Sequence, residues 1–417
     1  MAMHRVLLSL LLLSSVLGAP QVPGTPSSTV VSPPAASPTD PGQASNLTTE
    51  ERTELFSLHE ELVNIPSISG DETECADFIT EYLQDLGYYV EQLPVGDTGT
   101  SNVFAYPQAL KDENVWPEVL ITSHIDTVPP FYPFELREEN GTVYHFGRGT
   151  VDAKGPIATM IIASHKFFQS RSDTPRLGLL FVVAEETGGA GMKAFASYAQ
   201  NTTFRAGIFG EPTEGKLASG HKGGLGLTLN VKGRSAHSAY PHLGISAINY
   251  LAEAIVALNM LEPALPSSDL LGPSTLNTGV ISGGVAANVV PEAANASVSI
   301  RIARSEEDAS DIVRDIVAGM LSPIIQRAQE ANATFDATFS NSTYPAQILD
   351  TDVEGLEVAP VFYGTDIPNL PQVEKRYLYG TGTIEVAHTS NEALRQDELV
   401  QAADAYGLIL QSLFAES

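Results

Sequence analysis

Three short apolar runs, each followed at once by residues that can bind metal or exchange protons, constrain this chain more than any other feature. The runs cover 119–122, 177–184 and 206–209, and none of them contains a charged residue. Helical patterns such as 157–168 lie between them. Uninterrupted apolar runs separated by helices are typical of buried parallel strands, so the sequence predicts an α/β sheet.

The polar residues after these runs form a pattern of their own. His124 and Asp126 follow the first run, Glu185 and Glu186 the second, and Glu211 the third. In open α/β sheets, ligands bind in the crevice at the carboxyl ends of the strands. We therefore expect these five side chains to meet at one edge of the sheet.

The pattern changes near Gly223, where apolar and polar residues begin to alternate. The predicted order is strand, helix, strand, strand, helix, strand, over 225–231, 245–261, 275–282, 296–302, a helix with Ile312, Ile316 and Met320 on one face, and 334–340. This order favours a separate, sandwich-like α+β domain inserted into the first. We predict an inserted domain at 221–341 and a catalytic domain made of 50–220 and 342–417.

The first residues have the pattern of an export signal. His4 and Arg5 precede the apolar run 6–13, which is too short to span a bilayer, and small residues follow at Gly18 and Ala19. We predict a signal peptide at 1–19. The stretch 20–49 is rich in Pro, Ser and Thr and has little to bury, so it is predicted to be a disordered leader.

Several global features agree with a secreted, extracellular protein. The net charge of −28 disfavours nucleic acid and anionic membrane surfaces as partners. The single cysteine, Cys75, excludes an intramolecular disulfide and is interpreted as a small core residue. Six Asn-x-Ser/Thr sequons predict glycosylation, at Asn46, Asn140, Asn201, Asn295, Asn332 and Asn341.

Two further residues complete a set of metal ligands. Asp152 lies in the segment 147–155, and His388 lies much later in the chain. Each candidate has an ordinary structural explanation, for example a helix cap for an acidic pair, but their joint occurrence favours a metal site. Two imidazoles and three carboxylates suit two Zn²⁺ ions if one carboxylate bridges. Glu185 is then left over as a base, and Asp126 can bind the second nitrogen of His124.

These motifs resemble those of the metallopeptidases that include acetylornithine deacetylase, succinyl-diaminopimelate desuccinylase, aminoacylases and glutamate carboxypeptidases. The likeness runs from about Leu55 to the C-terminus. Within the family, this chain looks most like the secreted fungal carboxypeptidases. It rests on the segments 123–128, 147–155, 184–188, 210–213, 233–238, 288–291 and 388–392. One departure is Ala184, where many members carry Asp. The resemblance implies a mixed sheet with helices on both faces, a phosphorylase/hydrolase-like catalytic domain with an inserted lid or dimerisation domain.

The resemblance also implies a role for each ligand of two zinc ions per subunit. Asp152 would bridge the ions, with His124 and Glu211 completing one site. Glu186 and His388 would complete the other site. By the same resemblance, Glu185 would be the general acid/base and Asp126 a supporting carboxylate of the active site.

The predicted inserted domain adds three candidates through the same resemblance. His237 matches a histidine that stabilises the oxyanion, sometimes across a homodimer. Asn288 and Arg301 match positions that hold the substrate, and Arg301 suits a carboxylate; a solvated strand face is the alternative for Arg301. His221 and His242 are interpreted as surface or structural residues.

The expected reaction is hydrolysis of a peptide or N-acyl amide bond next to a free carboxylate. Metal-activated water would attack the scissile carbonyl, with Glu185 as the general base. The alternatives are an N-acyl-amino-acid deacylase, or an aminopeptidase or dipeptidase with the same metals. A catalytically inactive binding protein and a glycosidase are weaker alternatives, because all ligands are present and a glycosidase leaves both histidines without a purpose.

Overall fold

A computed structural model describes residues 45–97 and 99–415. The predicted signal peptide 1–19 and residues 20–44 of the predicted leader lie outside this range. The last residues of that leader differ from the prediction. Leu47 is buried, and the Thr48 side chain caps the first helix by accepting a hydrogen bond from the Glu51 amide. These residues therefore belong to the folded part of the chain.

Eight α-helices and thirteen strands of three residues or more make up the described chain. The helices are α1 Thr49–Asn64, α2 Thr73–Asp85, α3 Gln108–Asp112, α4 Lys154–Gln169, α5 Ala190–Tyr198, α6 Ala247–Leu261, α7 Ala309–Glu330 and α8 Gln396–Ala415. The strands are β1 Tyr88–Pro94, β2 Ser101–Pro107, β3 Val119–His124, β4 Glu135–Glu139, β5 Thr142–Phe146, β6 Leu177–Val182, β7 Phe204–Phe209, β8 Gly223–Lys232, β9 Thr275–Gly283, β10 Ala293–Ile302, β11 Thr334–Phe339, β12 Val373–Leu378 and β13 Ala393–Arg395.

The larger sheet has six strands in the order β1-β2-β6-β3-β7-β12. The three predicted strands are β3, β6 and β7, and they are parallel neighbours, as expected. Strand β12 extends the parallel part, whereas β2 runs antiparallel to both β1 and β6. The sheet is therefore mixed, and the sequence pattern did not predict β1, β2 or β12.

Alternate residues of the larger sheet pack into two different cores. Val119 and Ile121 belong to the core that contains residues of α1, α2, α4 and α8. Leu120, Leu180 and Val182 belong to the core that contains residues of α3 and α5. Because successive side chains of a strand point to opposite faces, helices cover both faces of this sheet. The predicted α/β class with helices on both faces is confirmed.

The second sheet has the antiparallel order β9-β10-β8-β11, and all four strands lie inside 221–341. Its elements follow in the predicted order β8, α6, β9, β10, α7, β11. One face packs against α6 and α7, whose buried residues share its core. The other face carries polar residues, as the alternating burial of β8 and β10 shows. A third, small sheet has the order β13-β5-β4.

Helix α7 buries a different face from the one predicted. Its core positions are Val313, Val317, Leu321, Ile324 and Ala328. The predicted stripe is one residue out of phase, and Met320 is 38% exposed. The segment has adjacent apolar pairs, so its periodicity fits either face and the packing against the sheet decides between them.

Two further sequence predictions concern burial. Cys75 is fully buried in α2, and burial raises the pKa of its thiol, which agrees with a core residue. Among the described residues, no helix combines the length and the apolar character needed to cross a bilayer.

A chain of buried side-chain hydrogen bonds connects α1, β5 and α8. Nδ1 of His59 lies 2.8 Å from Nδ1 of His145, and Nε2 of His59 lies 3.1 Å from the carbonyl oxygen of Thr150. Nε2 of His145 lies 3.2 Å from the Gln396 amide nitrogen. Neutral tautomers satisfy every bond if Gln396 donates to His145, His145 to His59, and His59 to Thr150. Each acceptor nitrogen then accepts a hydrogen bond, so protonation of either histidine must break one of these hydrogen bonds.

This chain predicts a loss of stability on acidification. Burial lowers the pKa of His59 well below its usual value and that of His145 to about 4. The unfolded histidines bind protons near pH 6.5, so between that pH and 4 the unfolded state holds more protons and stability falls as pH falls. We expect His145 to contribute on the order of 3 kcal/mol to this loss.

Urea unfolding of the wild type and of His145→Phe at pH 7 and pH 4.5 would measure this contribution. The phenylalanine fits beside Phe56 and Phe134, whose rings already contact the imidazole. The variant should start less stable at pH 7, because His59 loses a partner, but lose less stability on acidification. An equal loss in both proteins would contradict the assignment of neutral histidines.

Candidate metal centre

The ends of three neighbouring strands bring the predicted metal ligands together. His124 is the last residue of β3, Glu186 follows β6, and Glu211 follows β7. The register pairs His124 with Val182 of β6, and Thr122 of β3 with the last residue of β7. The strands therefore end side by side, and the predicted meeting point at one edge of the sheet is present.

Two groups of three side chains share Asp152. Nε2 of His124 lies 3.0 Å from Oδ1 of Asp152 and 3.8 Å from Oε1 of Glu211. Nε2 of His388 lies 3.1 Å from Oδ2 of Asp152 and 2.8 Å from Oε1 of Glu186. In each group the three donor atoms lie within 4.8 Å of one another. The two oxygens of Asp152 thus face different histidines, which is the arrangement of a bridging carboxylate.

The electrostatics of both groups show a surplus of negative charge. Burial alone would raise the pKa of Asp152, but hydrogen bonds with His124 and His388 lower it. Burial would lower the pKa of His124, but the charge of Glu211 and contacts with Asp126 and Asp152 raise it well above its usual value. Hydrogen bonds to Asp152 and Glu186 raise the pKa of His388 to about 10. Each histidine therefore lies where a cation is stabilised.

The donor set fits two divalent cations. Imidazole nitrogen and carboxylate oxygen are ligands that Zn²⁺ and similar ions accept. Bound cations would replace the protons that the carboxylates now stabilise on the histidines, since metal ligands bind in their deprotonated forms. The five predicted ligands, His124, Asp152, Glu186, Glu211 and His388, thus form a candidate dinuclear site.

Asp126 contacts the second ring nitrogen of His124, as predicted, and has further partners as well. Nδ1 of His124 lies 2.9 Å from the main-chain oxygen of Asp126 and 3.5 Å from its carboxylate. The carboxylate also accepts hydrogen bonds from the amides of Glu185 and Glu186, at 2.9 and 3.1 Å, and from the hydroxyl of Ser69. The buried Asp126 therefore fixes the turn that carries Glu185 and Glu186, as well as the tautomer of His124.

Glu185 belongs to neither ligand group. It lines a small cavity with His124, Glu211 and Asp366. Burial and the negative charge of Asp366 raise the pKa of Glu185 well above its usual value. A carboxyl group that is close to the ligands but not among them can accept and return a proton.

Asp366 is a residue of this site that the sequence pattern did not indicate. It is buried, and Oδ1 accepts a hydrogen bond of 2.7 Å from Asn369 while Oδ2 has no partner. Burial raises its pKa to about 6. Asp366 follows no apolar run, so only the folded structure places it beside Glu185.

Two candidates of the predicted inserted domain lie at the protein surface. Both His237 and Asn288 are exposed. The short pairing of Ala236–His237 with Val289–Val290 brings their chain segments together, and Nδ1 of His237 accepts a hydrogen bond from the Ala239 amide. Neither residue belongs to the two ligand groups.

Arg301 lies on β10 and is half-buried. A Cβ atom on Gly364 would lie 3.0 Å from Nη1 of Arg301, so the guanidinium approaches the loop that continues to Asp366. This loop lines the cavity beside Glu185. Arg301 is therefore half-buried against this loop rather than on an open, solvated strand face.

The two remaining histidines have structural or surface positions. His221 is buried, contacts the Lys222 carbonyl and lies 3.2 Å from the Thr365 hydroxyl. Burial lowers its pKa to about 4, so it is neutral and structural. His242 is exposed.

Comparison with known proteins identifies the family. Residues 219–323 match the model of the peptidase dimerisation domain. A protein from Aspergillus terreus named "Probable carboxypeptidase" is 43% identical over 382 residues, with 86% of each chain covered. The chain belongs to the M20 family of metallopeptidases. It is a carboxypeptidase-like member, and the resemblance inferred from the sequence motifs is confirmed.

Several solved structures are similar in fold to this chain. A tripeptidase from Staphylococcus aureus has a TM-score of 0.71 at 21% identity, with 88% of this chain and 99% of that chain covered. A dinuclear metal-binding M20 peptidase from Bacillus subtilis has a TM-score of 0.61 at 16% identity, with 88% and 99% covered. The fold of this chain is therefore shared with a tripeptidase and with an M20 peptidase that binds two metal ions.

Proposed function

We propose that this M20 member is a secreted carboxypeptidase that uses two zinc ions to hydrolyse a peptide or N-acyl amide bond next to a free carboxylate. The observation that carries the proposal is the position of Asp152 between two histidines, with Glu185 nearby but outside both ligand groups. Cations, a shared ligand and a free base are the parts that metal-assisted amide hydrolysis requires.

The ligands divide between the two ions. His124 and Glu211 would hold one zinc ion and Glu186 and His388 the other, with Asp152 shared. Zinc ions bound in this way supply Lewis acidity, which polarises the scissile carbonyl and lowers the pKa of water. Asp126 keeps His124 and the Glu185–Glu186 turn in place through the contacts described above.

Glu185 moves the protons. As the oxygen of water bonds to the carbonyl carbon, the Glu185 carboxylate accepts a proton from that water. As the carbon–nitrogen bond breaks, Glu185 gives the proton to the departing amine. The products are an amine and a carboxylic acid, which ionises in water, and Glu185 returns to its starting state. Its burial and the neighbouring Asp366 favour holding the proton between the two steps.

Arg301 supports recognition of a free carboxylate. Its guanidinium can bind both oxygens of a carboxylate at once. It approaches the loop of Gly364 beside the candidate metal centre, where a C-terminal residue of a peptide could extend. A dipeptidase or an aminopeptidase, the alternative named above, would have to recognise the free amino end of its substrate instead.

The substrate class is tested by hydrolysis of two probes, an N-blocked dipeptide with a free carboxylate and a C-amidated dipeptide with a free amine. We expect cleavage of the first probe only, and its loss in the presence of a chelator. Arg301→Met should raise KM for this probe by 10-fold or more, about 1.4 kcal/mol, because a charge-assisted pair is lost.

Preference for the C-amidated probe would overturn the carboxypeptidase assignment and support an aminopeptidase. The deacylase alternative uses the same chemistry and the same Arg301 contact. N-acyl amino acids in the same assay would show which acyl group is preferred.

A homodimer is proposed from the peptidase dimerisation domain match at 219–323. Apolar side chains are exposed on this part of the chain, at Val256, Met260, Val280, Ile281 and Val285. Since His237 is exposed, a partner subunit or a closing motion would have to bring it and Asn288 to a substrate. Sedimentation equilibrium showing only monomers would contradict the dimer.

Export and glycosylation are proposed from the signal-like start and the sequons. All six sequon asparagines, in the part of the chain that the structure describes, are exposed and so accessible to modification. The mass of the protein recovered from the culture medium, before and after glycan removal, would test both. An intracellular, unmodified product would contradict them.

A further inference from the structure

A buried ion pair outside the ligand groups joins the two loops that carry Asp152 and His388. Nη1 of Arg148 lies 2.5 Å from Oε2 of Glu392. Each residue is only 2% exposed. Charged side chains this deeply buried are costly unless they are paired and hydrogen-bonded, so the position of this pair needs an explanation.

Glu392 holds the loop that ends at Asp152. Its Oε1 accepts hydrogen bonds from three backbone amides, those of Gly149, Val151 and Asp152, at 3.0, 3.1 and 3.2 Å. The amide of Gly147 also donates to the Glu392 carbonyl. One carboxylate thus sets the course of the backbone up to the shared ligand.

Arg148 holds the loop that carries His388. Its Nη1 also donates to the carbonyl oxygen of Thr389, at 3.2 Å. His388 itself has a φ of 64°, a left-handed conformation that a non-glycine residue rarely adopts without support. The backbone of Arg148 is fixed in turn, since its amide donates to the Tyr132 carbonyl.

The other ligands do not depend on these loops. His124 ends β3 and Glu211 follows β7, so the main sheet positions both of them. Besides the direct contact between Nε2 of His388 and Oδ2 of Asp152, Arg148 and Glu392 connect the loops that carry these two ligands. The site with His388 therefore depends on this pair more than the site with His124.

We propose that Arg148 and Glu392 are positioning residues that set the distance between Asp152 and His388, and so control occupancy of the metal site formed by Asp152, Glu186 and His388. This inference rests on the proposed two-metal function. Neither residue is a metal ligand, and neither touches the scissile bond.

The test measures zinc binding to full-length Glu392→Gln by competition with a chromophoric chelator and by metal analysis. Glutamine keeps the shape of the side chain but loses the charge. We expect the zinc ion held by Asp152, Glu186 and His388 to bind 10- to 100-fold more weakly than in the wild type, a size typical of residues that support metal ligands. The other ion has only Asp152 on these loops, so its affinity should fall by less. Arg148→Lys keeps the charge but lacks the planar fork, so it should weaken the same site less.

Val317→Ala is the matched control, because it destabilises the core of the second sheet without touching the ligand loops. It should bind two ions as the wild type does. If Glu392→Gln does not fold, Arg148→Lys alone decides the outcome. Wild-type affinity at both sites in the folded variants, or equal weakening of both sites, would overturn the inference.

The result is independent of the substrate assay. A wild type that binds two zinc ions but cleaves neither probe would refute the proposed reaction and leave the role of Arg148 and Glu392 standing. A wild type that cleaves the free-carboxylate probe, with unchanged zinc binding in the variants, would do the reverse.

Discussion

Glu185→Gln should lower kcat by about 10²- to 10⁴-fold, the usual contribution of a general acid/base. The amide has the shape of the carboxylate but cannot accept the proton of the attacking water. Because Glu185 is in neither ligand group, the variant should still bind two metal ions. Steady-state kinetics on the N-blocked dipeptide, beside metal analysis of the same sample, would measure both quantities.

Glu138→Gln provides the control for this substitution, since Glu138 is an exposed carboxylate on β4. It should match the wild type in kcat and in metal content. A Glu185→Gln variant with normal turnover would remove Glu185 from the base role. A variant that loses activity together with one metal ion would instead make Glu185 a ligand.

The sequence predicted the edge of the sheet at which the ligands meet, because that edge follows from local patterns. Buried parallel strands appear as apolar runs, and the residues directly after them must lie at the carboxyl edge. His124 and Glu211 were placed correctly for this reason. Asp152 and His388 lie on loops, so no strand pattern placed them, and donor chemistry together with the motif resemblance connected them with the strand ends.

Local sequence patterns could not predict the contacts between segments that lie far apart in the chain. Asp366 follows no strand of the predicted sheet, and its approach to Glu185 depends on the loop after Gly364. The Asp126 carboxylate was expected to contact His124 only, but it also accepts hydrogen bonds from two backbone amides of another segment. A free N–H group has no signature in a sequence, so this preference could not be predicted.

Some elements of the fold were not predicted because their segments contain both charged and apolar residues. Strand β12 contains Glu374, Lys375 and Arg376 between its apolar residues, so it does not look like a buried parallel strand. As the last strand of the sheet, β12 pairs on one side only, with β7, and an edge position tolerates charge. In α7 the adjacent apolar pairs left two possible faces, and only the tertiary packing selects one.

Asp152→Ala should have the broadest effect of any single substitution, since this side chain contributes one oxygen to each ligand group. We expect the variant to lose both zinc ions and to show only the residual activity of chelator-treated wild type. His388→Ala removes a ligand from one group only, so it should retain the ion held by His124, Asp152 and Glu211. Asp336→Ala, an exposed carboxylate on β11, should keep both ions. Metal analysis of the three variants, with circular dichroism to show that each is folded, distinguishes a shared ligand from two independent sites. If Asp152→Ala and His388→Ala each lost the same single ion, Asp152 would belong to one metal only, and its role as the shared ligand would have to be abandoned.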